Sequence, residues 1–511
     1  MGMGFRRQIL FTEDFKMHRS VLQVFKSVIF LTILIGSLGL INQILMPKYI
    51  MKNSTWPTTS SYHQFYEMEK DSVDVLFFGS SVAVNAFSPQ EIYNQYGIRS
   101  YNLGSEQQSI FLSYFWLKEA LRSQTPQVVI LDTRFLFELH PENPINTVES
   151  LTRKCLDPMK WSSVKCEAVS DLCRIDETQS ELSYYFTNIR FHTRWTGLTE
   201  YDMVRKEVQY SELKGFGPIE TYGPESYNTY TPSGDTKVRT DTHEVMQVYL
   251  DKTVELCRDK GIALVLVSLP GNRMQDGIHN TLTAYAEEKG IDYYNLCESE
   301  NYHAIGAVLP RESVFDHENI WGARKMSDYI GNMLQNVYQV AAVQDEQYEH
   351  TKAFYEHIIQ NCELPHITDI NEYLQAIRDE RYTIFIAVRD EASAGLTDPV
   401  KENLMALGLS EDLTGKYRWS YSAVISPEHG VTEMLTENEP ARLSGSIRDR
   451  KTYYMVTSCG SLAGTSSSIN IDGTEYCKNA RGLNFVIYDN DLMKVVDRVA
   501  FDTCNTCGAV R

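Results

Sequence analysis

The chain has 511 residues, 43% hydrophobic and 23% charged, enough for two or three domains and typical of globular rather than disordered protein. Its formal net charge of −19 excludes the broad basic face that phosphate backbones require, so no nucleic-acid partner is expected. A strongly anionic polymer is disfavoured as substrate for the same reason, and a neutral glycan or a small acyl donor fits better.

The first predicted element is a transmembrane helix over 27–46, SVIFLTILIGSLGLINQILM. It carries no charge, its amides Asn42 and Gln43 sit near its distal end, and it is long enough to cross a hydrocarbon core. Arg6, Arg7, Lys16, Arg19 and Lys26 precede it against Glu13 and Asp14, which puts residues 1–26 in the cytoplasm as a short tail. No small-residue cleavage site follows the apolar run, so the segment reads as an uncleaved anchor in the cell membrane, with the bulk of the chain extracytoplasmic. Residues 47–70, rich in Ser, Thr and Pro, read as a stalk.

Strands and helices then alternate. Predicted strands cover 73–78, 98–104, 128–132, 262–270 and 291–296, and predicted helices lie between them and at 322–337. In SPQEIYNQYG, Ser88 caps, Pro89 takes the first helical position, Glu91 completes a capping box and Gly97 stops the helix. The alternation specifies an α/β domain over 71–338 with a flavodoxin-like, doubly wound, five-stranded parallel sheet, whose functional site lies at the carboxyl ends of the strands. Residues 138–241 interrupt it as an insertion read as helical and as a cap over that site. From 339 the texture changes to a linker (339–355). A sheet-rich α+β domain (356–511) follows, with strands at 382–390, 421–426, 451–458, 467–473, 483–489 and 494–502.

Of the ten cysteines, Cys504 and Cys507 form a Cys-x-x-Cys. That spacing suits a redox pair, half a zinc site or a disulfide; with no accompanying His or second Cys-x-x-Cys, a structural disulfide is the default. No phosphate loop, dinucleotide fingerprint or metal cluster is apparent, so neither cofactor nor metal is expected.

Three pieces carry chemistry. Strand one ends Gly79-Ser80-Ser81, where Gly79 permits a tight turn and a hydroxyl reaches the mouth of the sheet. Strand two ends Asn102-Leu103-Gly104, where a backbone N–H can face an oxyanion. Before the last helix of the domain stands Asp316-His317-Glu318-Asn319-Ile320-Trp321-Gly322. A serine needs a base, and the base needs a carboxylate to hold its tautomer, which Ser81, His317 and Asp316 would supply.

GSS, NLG and H-x-N-x-x-G in this order resemble blocks I, II and V of the SGNH (GDSL-like) hydrolase superfamily over about 71–338. With the anchor upstream, the arrangement is similar to DltD- and AlgJ-type proteins, which accompany membrane-bound O-acyltransferases (the MBOAT family) in modifying surface polymers. The resemblance implies Ser81 as nucleophile, His317 as general base, and the N–H groups of Ser81 and Gly104 as oxyanion donors. It implies an O-acyl (acetyl) transferase or esterase acting on a surface polysaccharide, partnered by a glycan or acyl donor and by an MBOAT protein. Two departures stand out. The family's Asp-x-x-His is replaced by Val314 three positions before His317 and Asp316 adjacent to it, so Asp316 needs a turn to reach the ring, and Glu312 or Glu318 is a substitute. The block III Asn is replaced by Leu131-Asp132-Thr133-Arg134; a missing oxyanion donor is worth ~3 kcal/mol, for which Arg134 is the candidate compensation. A catalytically degenerate, glycan-binding or scaffold version is the alternative.

In the C-terminal part, ARGLNFVIYDNDLMKVVDRVAFDT and YTIFIAVRDEASAGLTDPVKENLMALGLS resemble the two halves of an ILEI/PANDER domain in opposite order. This implies a circular permutation, and by its sugar-binding relatives a carbohydrate-binding module with Asp390 and Arg418 on its binding face.

Overall fold

The structure is a computed structural model that describes residues 4–47, 60–203, 211–223, 230–270, 274–306, 312–314, 316–448 and 450–511. Helix α1 (Gly4–Leu45) is continuous and includes an apolar stretch, Val21–Leu45, long and apolar enough to cross a membrane. The helical backbone therefore does not begin at residue 27 but runs back through most of the expected tail. The stalk expectation fails for residues 60–70. Helix α2 (Ser60–Phe65) buries Tyr62 and Phe65 in the main core, where Tyr62 stacks on Trp116 at 4.2 Å. Large aromatic rings at this spacing have far more apolar surface to hide than a solvated tether carries. The rest of the expected stalk, 48–59, lies outside the described residues.

Strand β1 (Val75–Phe78) leads through α3 (Ser81–Ala86) and α4 (Pro89–Tyr96) to β2 (Ser100–Asn102). Helix α5 (Ile110–Ala120) precedes β3 (Val128–Asp132). Four helices of the insertion follow: α6 (Glu149–Leu156), α7 (Ser163–Ile175), α8 (Glu181–Tyr185) and α9 (Asn188–Phe191). Then come α10 (Glu244–Lys260), β4 (Ala263–Ser268), α11 (Asp276–Lys289), β5 (Asp292–Asn295) and α12 (Ser299–Ile305). A two-strand hairpin, β6 (Ser313–Val314) and β7 (His317–Glu318), precedes α13 (Ile320–Asn336). The sheet is parallel with order β2-β1-β3-β4-β5, the flavodoxin-like winding. Alternation along the strands gives each face its core. Val75, Phe77, Val128, Ile130, Val265 and Val267 point toward α3, α4 and α13; Leu76, Phe78, Val129, Leu131, Leu264 and Leu266 point toward α5, α7 and α10. The capping expected at 88–97 is present, with the Ser88 hydroxyl accepting from the Glu91 N–H and Gly97 left-handed at the C-terminus of α4.

The insertion is helical but is not, over most of its length, a cap. Cys155, Leu156, Val164, Ala168, Val169, Leu172 and Tyr184 bury against the α5 face, because α6 and α7 present apolar residues that the core there completes. Among the described residues, 211–222 run beside α3 and the start of α13. The Gly217 N–H donates to Val84 O, the Asn85 amide donates to Gly217 O, and the Ile320 N–H donates to Ile219 O.

The linker expected at 339–355, read as a helix, is helical from residue 346 in α14 (Glu346–Glu363), and it packs into the fold instead of serving as a tether. Its Tyr348 stacks on Tyr93 of α4 at 4.8 Å, and its Tyr355, Ile358 and Cys362 share a core with Phe216, Ile320 and Leu492. After α15 (Ile370–Ala376) come β8 (Tyr382–Asp390), α16 (Asp398–Ala406), β9 (Ser420–Ser426), β10 (Gly430–Thr436), β11 (Ala441–Ile447), β12 (Thr452–Gly460), β13 (Ser466–Ile471), β14 (Thr474–Glu475), β15 (Gly482–Asp489), β16 (Lys494–Phe501) and β17 (Ala509–Val510). They form one mostly antiparallel sheet with β8 at its centre, between β12 and β15. Helices α15 and α16 cover one face through Tyr373, Leu374, Val400 and Leu404. The two halves expected to be permuted are thus neighbours, with Arg389 opposite Gly482 and Tyr382 opposite Asp489.

At the Tyr382/Asp489 end of this sheet α14 is tied to the end of β15, and Lys494 ties β16 to the α/β domain. His357 Nε2 lies 2.6 Å from Asp489 Oδ2, the Asn361 amide donates to the same oxygen at 2.7 Å, and the Lys494 ammonium reaches Glu220 at 2.7 Å. His357 and Asp489, with Asp491 close by, also have the spacing of metal ligands, a juxtaposition across 132 residues that sequence spacing did not reveal.

Candidate active site

Gly79 makes the turn out of β1 at φ 145°, and a Cβ there would stand 2.4 Å from the Cβ of Asp132. Only glycine fits, and the turn delivers two serines with different fates. The Ser80 hydroxyl faces inward and donates to Asp132 Oδ2 at 2.9 Å. Ser81 opens α3, with its backbone N–H in the unsatisfied first turn and its Oγ 2.8 Å from His317 Nε2.

His317 arrives on β7, and the hairpin with β6, in which Val314 opposes His317, leaves Asp316 in the connecting turn. That is the turn an adjacent Asp requires. Asp316 Oδ1 lies 2.9 Å from His317 Nδ1, and Arg134 Nη2 donates to Asp316 Oδ2 at 2.6 Å. The hydrogen bond from His317, and then the Arg134 guanidinium, hold the Asp316 carboxyl well below the usual carboxylate range despite its partial burial. Ser81, His317 and Asp316 therefore form one continuous hydrogen-bonded line across residues far apart in the chain.

The two substitute carboxylates lie elsewhere. Glu312 Oε1 accepts from the Lys325 ammonium at 2.6 Å. Glu318 is fully buried, and neither of its oxygens has a hydrogen-bond partner among the described residues. Burial, and then the nearby Glu312, push its carboxyl up to about 8. Gly322, the last residue of the H-x-N-x-x-G pattern, has a physical reason to be glycine, since a Cβ there would lie 2.1 Å from Glu318 Oε2. Asn319 caps α13 by accepting from the Gly322 N–H at 3.2 Å.

The oxyanion side differs from expectation. The Gly104 N–H donates to Asn102 Oδ1 at 3.0 Å, so it is already engaged. The Asn102 amide is pinned in turn by donation to Ala83 O and Phe87 O at 2.9 and 3.1 Å. Sequence reasoning passed over Asn102, although an Asn two residues before a Gly is the signal of such a side-chain turn. At the third position Asp132 accepts from the Ser80 hydroxyl and from the Arg134 N–H, and burial raises its carboxyl above the ordinary range. Arg134 was expected as a compensating donor. Its Nη2 is committed to Asp316, while its Nη1 is buried without a hydrogen-bond partner among the described residues.

Asp390 and Arg418 lie together at the far end of the C-terminal sheet. Asp390 is the last residue of the nine-residue β8, whose first residue marks the domain junction, about 26 Å away at ~3.3 Å per residue. Both residues have left-handed backbones, at φ 64° and 65°, and both flank Gly460. Glu391, buried between them, accepts from the Arg418, Ser393 and Ala394 N–H groups. Nearby, Arg481 makes two bonds to Asp502 at 2.9 and 2.7 Å, and Asn484 exchanges bonds with Ala480. All ten cysteines are free thiols, so the disulfide expected of Cys504 and Cys507 is not formed, and Cys507 Sγ instead faces Gly395 O at 3.4 Å.

No curated protein matches the sequence. Among solved structures, similar chains include a Bacteroides fragilis protein provisionally named an acylhydrolase, at 12% identity, covering 54% of this chain and 94% of that one with a TM-score of 0.25. A GDSL-like lipase of Bacteroides thetaiotaomicron is similar at 11% identity, over 55% of this chain and 98% of that one, with a TM-score of 0.26. At such scores the likeness transfers no residue role. Residues 336–426 match the family model of ILEI, the interleukin-like EMT inducer, a stretch from the end of α13 through α14 and β8 to β9.

Proposed function

We propose that the protein is a membrane-anchored, extracytoplasmic serine O-acyl transferase or esterase that forms an acyl-enzyme on Ser81 and acts on a surface polysaccharide. The observation that carries this reading is the unbroken line Ser81 Oγ, His317, Asp316, with links of 2.8 and 2.9 Å. In it His317 Nε2 takes the proton as Ser81 Oγ attacks the acyl carbonyl. Asp316 holds the other ring nitrogen in its N–H form and stabilises the imidazolium, and Arg134 fixes Asp316. The oxyanion is met by the Ser81 N–H at the start of α3, with the Arg134 guanidinium close by. His317 then returns the proton to the departing alkoxide. Transfer to a sugar hydroxyl and hydrolysis by water repeat the same steps with different acceptors. The C-terminal domain adds affinity for the glycan through Asp390 and Arg418, and an MBOAT-family protein is the expected membrane partner.

A second reading, a catalytically degenerate glycan-binding scaffold, is favoured by the engaged Gly104 N–H and by Asp132 at the third oxyanion position. Fluorophosphonate labelling of the full chain separates the two. The enzyme reading expects labelling that Ser81→Ala abolishes, together with acetyl-ester hydrolysis lost in His317→Ala. Equal labelling of wild type and Ser81→Ala, with no ester turnover, removes it in favour of the scaffold.

A further inference from the structure

The insertion that fails to cap the site carries a set of large apolar side chains facing solvent: Trp161, Leu182, Phe186, Ile189, Trp195 and Met203, with Trp161 63% and Trp195 70% exposed. Scattered singly such residues need no explanation, but these fall within one run of packed helices and turns, and Trp161 lies 5.3 Å from Tyr185 beside Phe186.

The same run grips the end of α1. Asn42 Oδ1 accepts from the Thr187 hydroxyl at 2.7 Å and from the Asn188 N–H at 2.8 Å, and the Arg194 guanidinium donates to Leu45 O at 2.6 Å. Before that last turn, from Val21 to Ile41, α1 is exposed all round. Those residues extend for about 31 Å as a helix, the thickness of a hydrocarbon core. With them in a bilayer, Asn42 stands at its edge, and Thr187, Asn188 and Arg194, bonded to that edge, stand in the headgroup layer. Trp and other apolar rings beside Arg are the composition of that layer.

We propose that the face formed by residues 161–203 is a second membrane contact, seated in the headgroup layer of the bilayer that α1 crosses. The occupant is lipid, because the patch is continuous with the end of the spanning helix and fixed at the height of the interface. The domain is then held at the surface in one orientation, by a helix and a collar. The inference rests on α1 lying in the bilayer and is independent of the Ser81 chemistry.

The test uses the full chain in phosphatidylcholine vesicles whose acyl chains are brominated at shallow positions. Resistance to carbonate extraction first establishes that α1 is inserted. Of the six tryptophans, Trp161 and Trp195 are expected to be quenched, so the wild type loses more emission than a Trp161→Phe/Trp195→Phe variant of unchanged circular dichroism. Equal quenching of the two chains overturns the proposal, as it would if the patch were the seat of a protein partner and stayed clear of lipid. A chain that carbonate strips from the vesicles overturns it through its premise.

Discussion

The rim around Ser81 and the rim around Asp390 are both polar, and they are built in opposite ways. At Ser81 the side chains face one another: serine to histidine, histidine to aspartate, aspartate to arginine, drawn from three distant points in the chain. At Asp390 and Arg418 it is the backbone that is fixed, by left-handed torsions, by the bare Gly460 between them and by the buried Glu391, with Arg418 exposed and Asp390 half-buried. Groups that polarise one another suit chemistry, and groups held apart on a stiff frame suit binding. Under the proposed function, similar residue types divide between the two tasks by what their side chains spend their hydrogen bonds on.

That division can be broken most severely at Ser81. Ser81→Ala is expected to lower ester turnover by ~10⁴-fold or more, read as kcat with an acetyl ester. Retention of turnover would move the chemistry away from this rim. Asp316→Asn should cost on the order of 10³- to 10⁴-fold by leaving the imidazole in the wrong tautomer. Arg134→Met should cost about 10²-fold through a freed Asp316 and a lost positive charge, and unchanged kcat in it would show that the guanidinium is ornamental to the line.

Glu318 sharpens the comparison differently, because it is a buried carboxyl beside His317 with no hydrogen bond among the described residues. Its folded pKa of about 8 lies above the unfolded value, so the native state holds the proton more tightly. The stability it allows is complete below pH ~4.3 and drains away as pH rises through 8, by up to about 1.4 kcal/mol per pH unit. Glu318→Gln should flatten this slope, measured as urea midpoints between pH 6 and 9. At the other rim, Asp390→Ala with Arg418→Ala should abolish glycan retention by the full chain while changing stability by less than about 0.5 kcal/mol. A large loss of stability would recast the pair as part of the frame.

Much of this was legible in the residues. The five strands of the α/β domain were readable because short apolar runs bounded by turn residues encode buried parallel strands, and Ser88 and Gly97 marked the ends of α4. Strands β10 and β11 were passed over, because GVTEMLT buries none of its residues and ARLSGSI buries Ala441, Leu443 and Ile447 without a regular alternation of apolar and polar types. Asn42, an amide at the end of an apolar run, was visible; what it holds was not.

By itself the sequence determined the five strands of the α/β domain, where the apolar span lies, and the motifs that carry a serine, a histidine and an adjacent aspartate, since local periodicity and turn chemistry are properties of neighbours along the chain. The tertiary structure alone decided that Asp316 rather than Glu312 or Glu318 meets His317, that Arg134 ties Asp316, that Asn102 occupies the Gly104 N–H, and that the insertion grips α1. The Arg134–Asp316 bond and the grip on α1 join segments distant in the chain, and even between near neighbours such as Asp316 and His317 or Asn102 and Gly104 the direction a side chain takes is set by what packs around it.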